Sequence, residues 1–396
     1  MKRSLGISLS IISILLATAV GCLGDVKFQK EPYVVLTGDY SRVIVQWQLE
    51  EEAECSITWG QSSRHTQGIH SVAPGERRVY SAELNGLSRD TMYSYRVAAN
   101  DEIREGRFVT SPAASSVAEL TFFGIGDPQY AIADHHHFPN ICAAMSQDMS
   151  EAPLRRTFCL VAGDWVDYSA WGIVRCTGSE SDRMRTRAMA GPVGPFEECW
   201  DAFFQKARPI LAELPLIGCI GNHDVISDDS IALYDLYWPY PYVAGHYWSM
   251  DWGPVHFIFV DDYTPYRSGS SQYTWLERDL RVAATRPWTI VVKHQPDRPD
   301  QDCLFTLFRE YGVDLVVCGH WHCDGLVDGT GNDELFAYRG VPELVMSASA
   351  RDDYGHHDSI IPLYYRFDIL GSRITVRGFD RTGTEVVIHT VIADQG

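Results

Sequence analysis

Apolar positions along this chain fall into two textures. From Lys27 to about Pro112 they come in short runs with a period of two. "SRVIVQWQLE" sets Val43, Val45 and Trp47 against Ile44, Gln46 and Gln48, and "CSITWG" and "MYSYRVAAN" repeat the alternation. Gly38, Gly60, Gly75 and Gly86 punctuate the runs. Successive side chains on a strand point to opposite faces, so the pattern predicts half-buried strands joined by turns. An all-β sandwich of roughly 90 residues accounts for it. "SPAASS", Ser111–Ser116, reads as a linker after it.

Beyond the linker, longer apolar runs alternate with amphipathic stretches. "ELTFFGIGD", "FCLVAGD", "LPLIGCIGNHD", "VHFIFVDD", "WTIVVKHQP", "VDLVVCGHWH" and "ELVMSASA" predict buried strands, and "QYTWLERDLRVAA" and "CLFTLFREYG" predict helices. Such alternation predicts an α/β arrangement with mainly parallel strands and helices on the outer faces. The last stretch, "LYYRFDIL…RITVRGFD…EVVIHTVI", reads as antiparallel strands, an α+β element of the same region. There is no internal repeat, and a basic loop from Ser179 to Gly194 fits neither texture.

Composition narrows the function classes. The chain has 396 residues, 45% of them hydrophobic, which suits one large domain or two. The formal charge of −19 disfavours general nucleic-acid binding, which needs a basic surface. The same charge repels phosphorylated molecules at a distance, so a phosphate would need a local cationic centre.

At the N-terminus Lys2 and Arg3 precede an apolar run from Leu5 to Val20, followed by small residues and Cys22. This order predicts an export signal over residues 1–22. "AVGC" is similar to a bacterial lipobox, which implies lipid attachment at Cys22 and a periplasmic or cell-surface lipoprotein. No later apolar run reaches the ~20 residues of a membrane span, so the expected membrane contact is the lipid anchor alone. Cys159, Cys219 and Cys318 sit in apolar runs and read as buried thiols, and Cys176 and Cys199 could pair in an oxidising compartment.

The chemistry gathers at strand ends. Asp127 follows "TFFGIG", Asp164 follows "CLVAG", Asn222 and His223 follow "LIGCIG", His294 follows "TIVVK", and His320 and His322 follow "DLVVCG". Carboxyl ends of parallel strands lie along one edge of a sheet, where ligands bind. A lone aspartate there is usually a helix cap. Five such strand ends in order, carrying oxygen and imidazole donors, point instead to a metal centre. The donor types suit Fe, Zn or Mn, and they are too many for one tetrahedral ion, so two metal ions are expected. In "VVCGHWHCDG", a closed site of Cys318, His320, His322 and Cys323 is the competing reading. It fails on geometry, because His320 and His322 share one face of an extended segment while Cys323 turns away.

"GDPQ", "GDWVDY", "GNHD", "VVKH" and "GHWH" resemble the ordered motifs of the calcineurin-like metallophosphoesterases. The β-rich front and "GSSQYTWLERDL" resemble purple acid phosphatases in particular. The resemblance implies a fibronectin-III-like β-sandwich over 27–112 and a metallophosphoesterase domain over 118–393, itself a β-sandwich with helices on both outer faces. It implies that Asp127 and His322 hold one metal, that Asp164 bridges, and that Asn222, His294 and His320 complete the second. A hydroxide between the metals would attack phosphorus, with His223 touching the phosphate or protonating the leaving group. The competing role for His223 is a structural histidine held by Asp224. The implied substrate is a phosphate ester, first a monoester, with a phosphodiester as the alternative. A non-catalytic surface-binding lipoprotein is the alternative of another class.

The chain departs from the pattern in two places. Purple acid phosphatases carry an iron-binding tyrosine three positions after the bridging aspartate. Here Asp167 stands there and Tyr168 follows, so the resemblance does not carry ferric iron. Most relatives place histidine two after the first aspartate, where this chain has Gln129. Gln129, Asp167 and Tyr168 are therefore candidates for metal contact or for supporting the ligands, with Gln129 favoured as a supporting donor. His356, His357 and Arg183 are candidate substrate contacts, and His135–His137 read as a solvated histidine loop.

Overall fold

The computed structural model describes residues 26–61, 65–114, 119–129, 137–151, 156–167, 194–296, 303–327, 340–349 and 361–392. The front region supplies β1 (Phe28–Leu36), β2 (Arg42–Leu49), β3 (Cys55–Gly60), β4 (Gly68–Val72), β5 (Val79–Asn85), β6 (Met92–Ala99) and β7 (Glu102–Val109). They form a three-stranded sheet, β1-β2-β5, and a four-stranded sheet, β4-β3-β6-β7, with every pairing antiparallel. Period-two alternation drives this. Val43, Val45 and Trp47 of one sheet and Ile57, Tyr95 and Val97 of the other are all buried in one core.

The second region is built from two six-stranded sheets. Its strands are β8 (Glu119–Ile125), β9 (Arg156–Ala162), β10 (Leu216–Cys219), β11 (Trp248–Trp252), β12 (Val255–Phe259), β13 (Trp288–Val292), β14 (Leu315–Cys318), β15 (Gly325–Val327), β16 (Glu343–Val345), β17 (Tyr364–Leu370), β18 (Arg373–Phe379) and β19 (Glu385–Ile392). The helices are α1 (Phe138–Glu151), α2 (Gly194–Leu211), α3 (Asp228–Tyr237), α4 (Ser271–Ala283) and α5 (Cys303–Tyr311). One sheet runs β10-β9-β8-β17-β18-β19 and the other β11-β12-β13-β14-β16-β15. β8, β9 and β10 are parallel to one another, as are β12, β13, β14 and β16. The sheets meet where Phe257 of β12 packs edge-on against Phe122 of β8 and Phe158 of β9, each at 5.4 Å.

Alternation also explains the helices. Phe257, Ile290, Val292, Leu315 and Val317 face the sheet-to-sheet core. Ile258, Val291 and Val316 point the other way, into a second core completed by Leu276 and Leu280 of α4 and Leu304, Phe305 and Phe308 of α5. On the far side of the other sheet, Asp148 of α1 meets Arg366 of β17 at 3.2 Å. Helices thus cover both outer faces of a β-sandwich. The parallel strands of the sequence reading are divided between two sheets.

The front sandwich docks through a polar seam. Lys30 of β1, whose side chain is fully buried, is bonded to Gln48 of β2 and to Asp201 of α2. Arg77 pairs with Glu197 of α2 at 2.7 Å. The segment read as a linker begins packed: Ser111 is buried and its Oγ accepts from Gly253 N–H at 3.2 Å. Cys159, Cys219 and Cys318 are buried, while Cys176, proposed as partner of Cys199, lies outside the described residues. Among the described residues no helix is long and apolar enough to cross a membrane.

Candidate metal centre

Five strands deliver the predicted residues at their carboxyl ends. β8 leads into Asp127, β9 into Asp164, β10 into Asn222 and His223, β13 into His294, and β14 into His320 and His322. The first three belong to one sheet and the last two to the other. The crevice therefore lies across the top of two facing sheets, where the sequence reading had placed it along one.

The turns that aim these side chains are strained. Asp127, Gln129, Asp164, His320 and His322 have φ of 40°, 37°, 51°, 68° and 59°, a region that residues with a Cβ rarely occupy. Such strain persists where surrounding contacts enforce it, and it clusters at functional sites. Two glycines allow the close approach. A Cβ on Gly319 would lie 2.4 Å from Asp127 Oδ2, and one on Gly221 would lie 2.2 Å from Asp164 Oδ1. This explains why glycine precedes the ligand types in "GNHD" and "GHWH".

Two donor groups result. Asp164, His294 and His320 form one, and Asp127, Asp164 and His322 the other, with ligand atoms in each within 4.8 Å of one another. Asp164 is common to both. Around His294 Nε2 lie Asn222 Oδ1 at 2.9 Å, His320 Nδ1 at 3.2 Å and Asp164 Oδ2 at 3.3 Å. His294 Nδ1 donates to the Ala162 carbonyl at 2.8 Å, which directs Nε2 inward. His322 Nε2 is 3.5 Å from Asp127 Oδ1, and the carboxylate of Asp127 is steadied by the backbone N–H of His320 at 2.9 Å.

Electrostatics show what this cluster accommodates. Burial disfavours a charge on His294, but the carboxylates of Asp164 and Asp127 outweigh it and lift the imidazole to about 10. The same pairing holds Asp164 well below the usual carboxylate range despite burial. Burial and the neighbouring His294 charge pull His320 down to about 4, leaving the neutral form that binds metals. The field of buried carboxylates attracts positive charge, and the donor set offers oxygen and nitrogen around two overlapping positions. These residues fit a pair of metal ions.

His223 stands beside the cluster. Its Nδ1 lies 2.8 Å from Asp167 Oδ1, and its Nε2 is 3.9 Å from Asp164 Oδ2. Burial opposes a charged imidazole, yet the Asp167 hydrogen bond and the Asp164 charge raise it to about 9. Asp224, the holder of His223 in the competing reading, does something else: it accepts backbone N–H bonds from Gly221 (2.8 Å), Val166 (3.3 Å) and Trp165 (3.4 Å), tying two ligand-bearing turns together. Gln129 Nε2 donates to Asp164 Oδ2 at 2.8 Å, the supporting contact favoured from the sequence. His137 meets Arg381 at 2.9 Å and belongs to neither donor group. Tyr168, Arg183, His356, His357 and Cys22 lie outside the described residues.

The sequence reading missed Asp262. Its Oδ2 accepts the backbone N–H of His294 (2.9 Å) and of Gln295 (2.8 Å), and Lys293 Nζ lies 3.1 Å from Oδ1. The available signal was "VHFIFVDD", a strand ending in carboxylates like its neighbours.

The sequence model of the calcineurin-like phosphoesterase family matches residues 121–324. Purple acid phosphatase 21 of Arabidopsis thaliana is 31% identical over 146 residues, which are 31% of this chain and 33% of that protein. Phosphoenolpyruvate phosphatase of Allium cepa is 24% identical over 334 residues, 75% of this chain and 62% of that one. The matched part spans about a third of the length of purple acid phosphatase 21 and of probable purple acid phosphatase 20 of Arabidopsis thaliana. Purple acid phosphatase from yellow lupin (Lupinus luteus) seeds superposes with a TM-score of 0.66 at 15% identity, covering 92% of this chain and 74% of its own. PhoD superposes with a TM-score of 0.65 at 12% identity, covering 93% and 91%. At these identities the structural likeness is one of fold.

Proposed function

The chain belongs to the calcineurin-like phosphoesterase family, and from that premise we propose that it is a two-metal hydrolase of phosphoric esters, acting on phosphomonoesters. The observation that carries this reading is the sharing of Asp164 between two donor groups, since one carboxylate common to two ions is what a paired centre needs. Asp127, Asp164 and His322 would hold one ion, and Asp164, Asn222, His294 and His320 the other. Ions held there would acidify a coordinated water and offset charge on the phosphate.

The remaining work falls to the protein. Asp167 occupies Nδ1 of His223, so Nε2 is the nitrogen turned toward the centre. From there it can hand a proton to the departing oxygen or hold a phosphate oxygen. The acidic chain gives no long-range attraction to a phosphate, so binding would depend on the ions held in this crevice. Asp167, at the position of the iron-binding tyrosine, is committed to His223, which supports Zn, Mn or ferrous iron over a tyrosine-bound ferric ion.

Metal quantification on protein purified without chelator tests the reading. We expect about two equivalents per chain, with both and the activity lost in Asp164→Ala. Full activity in that variant overturns the proposal. A panel of nitrophenyl monoesters and diesters tests the substrate class, and faster diester turnover replaces the monoesterase with a phosphodiesterase. We also propose export and lipid attachment at Cys22, supported by "AVGC" after the apolar run. Labelled fatty acid incorporated by the wild type and lost in Cys22→Ala is the expected result.

A further inference from the structure

The turn that carries His322 is fastened to the opposite sheet. Asp324 follows His322 by two residues and stands just ahead of β15, a three-residue strand at the edge of its own sheet. Its Oδ1 accepts the hydroxyl of Tyr365 of β17 at 2.8 Å. Nε2 of His389 of β19 donates to the same carboxylate, 3.0 Å from Oδ2 and 3.1 Å from Oδ1. β17 and β19 belong to the sheet of β8, β9 and β10, so side chains of one sheet grip a turn of the other. Tyr365 is fully buried, and burial with the Asp324 charge keeps its phenol well above the ordinary value, so the hydroxyl stays a donor. Its oxygen accepts the N–H of Ser347 at 2.8 Å, and Ser347 Oγ stands 3.4 Å from the His322 carbonyl.

This contact relates two ligands of one donor group. Tyr365 is paired with Gly124 of β8, three residues before Asp127. The bond from Tyr365 to Asp324 therefore runs from the neighbour of the strand that delivers Asp127 to the turn that delivers His322. A backbone bond from Ser349 N–H to the Gly126 carbonyl, 2.8 Å, joins the end of β16 to β8, but β15 lies one strand further out. The other donor group has its own supports, since Asp262 holds the backbone of His294 and the Ala162 carbonyl its ring.

We propose that Asp324, gripped by Tyr365 and His389, is the positioning residue for His322, and that it governs binding of the ion held by Asp127, Asp164 and His322 without affecting the other. The inference rests on the two-metal reading above. Groups that orient a metal-binding histidine commonly change metal affinity when removed. Here the support acts through the backbone of a short turn, so shape matters and the charge of Asp324 does not.

The test is Mn2+ titration of the metal-free full chain, read as stoichiometry by elemental analysis and as affinity by paramagnetic resonance, beside its melting temperature. Wild type should take up two ions. Asp324→Ala should keep one at wild-type affinity and weaken the other by about 10- to 100-fold. Asp324→Asn keeps an oxygen for Tyr365 and a polar group for His389, and it should bind both ions like wild type. His322→Ala should weaken the same ion, and adding Asp324→Ala to it should change nothing more. A lower melting temperature in Asp324→Ala with both affinities intact would show a purely structural role and overturn the proposal. So would equal weakening of both ions, a further loss in the double variant, or an Asp324→Asn as weak as Asp324→Ala. Each of these leaves the two-metal reading standing. A wild type that takes up fewer than two ions removes that reading, and this one with it. If Asp324→Ala fails to fold, judged by circular dichroism, Tyr365→Phe decides: one weakened ion supports the proposal and two unchanged ions overturn it.

Discussion

The ring of His223 is fastened to Asp167, Nδ1 to Oδ1 at 2.8 Å, across 56 positions of sequence, and its backbone N–H donates to Asp164 Oδ1, also at 2.8 Å. Both carboxylates sit on the turn after β9. One turn thus supplies the carboxylate shared by the two donor groups and the one that orients the neighbouring imidazole.

Asp167→Asn keeps the shape of that contact and removes its charge. The imidazole loses the group that stabilises its protonated form, so kcat for a nitrophenyl phosphate should fall by about 10- to 100-fold. KM and metal content should change little. His223→Ala should cost at least as much, and the double variant should cost no more than His223→Ala alone, because the two residues act as one unit. Additive losses would show that Asp167 has a separate role.

Gly221→Ala tests the close approach behind "GNHD". The new Cβ would lie 2.1 Å from Asp164 N and 2.2 Å from its Oδ1, so the turn must shift. Overpacking of this kind costs about 1–3 kcal/mol, and the displaced Asp164 should lower metal content. Gly325→Ala is the control, since a Cβ there meets nothing within 4 Å. Its melting temperature should match wild type.

Lys30 decides whether the front sandwich unfolds separately. Its ammonium is buried against Gln48 and Asp201 and lies 4.5 Å from the ring centre of Tyr237. Asp201 is a third exposed and keeps Gln29, so Lys30→Ala removes a buried donor from Gln48 and leaves a gap, and should cost about 1–3 kcal/mol. Lys30→Met, which keeps the packing, should cost less. Because the seam joins the two regions, urea unfolding should stay a single transition in wild type and split in Lys30→Ala. Two transitions already present in wild type would show the seam to be weak.

A pH-dependent contribution comes from His256, which belongs to neither donor group. Its ring lies between Asp251 of β11 (2.8 Å) and Asp279 of α4 (3.0 Å), with Arg286 bonded to Asp251. Burial opposes its charge, but the two aspartates raise it to about 9, above the ordinary 6.5. The stabilisation is therefore fully present below pH 6.5, declines as pH rises through 9, and is absent above. It amounts to roughly 2–3 kcal/mol at pH 6. Urea midpoints of wild type and His256→Gln should differ at pH 6 and converge toward pH 10. A difference that stays constant across this range would show that the charge is not involved.

Much of this arrangement was legible in one dimension. Alternation in "SRVIVQWQLE" and the continuous apolar runs of "TIVV" and "LVVC" report burial on one face or two, a local property of a strand. The donor residues were legible because each closes its own run. The division of the strands between two sheets was not, because an apolar run does not encode which neighbour it pairs with. Asp262 was passed over for a similar reason: its role is to hold the backbone of His294, and backbone contacts leave little trace in residue type.

The sequence by itself determined which side chains stand at the strand ends and, through their donor chemistry, that they suit metal ions. Only the tertiary structure decided that these side chains converge from two separate sheets and that His223 answers to Asp167 and not Asp224. The physical reason is range. Strand formation and burial are written in neighbouring residues, whereas the pairing of a carboxylate with an imidazole 56 positions away depends on which strands lie side by side in a sheet and where their turns are forced to point.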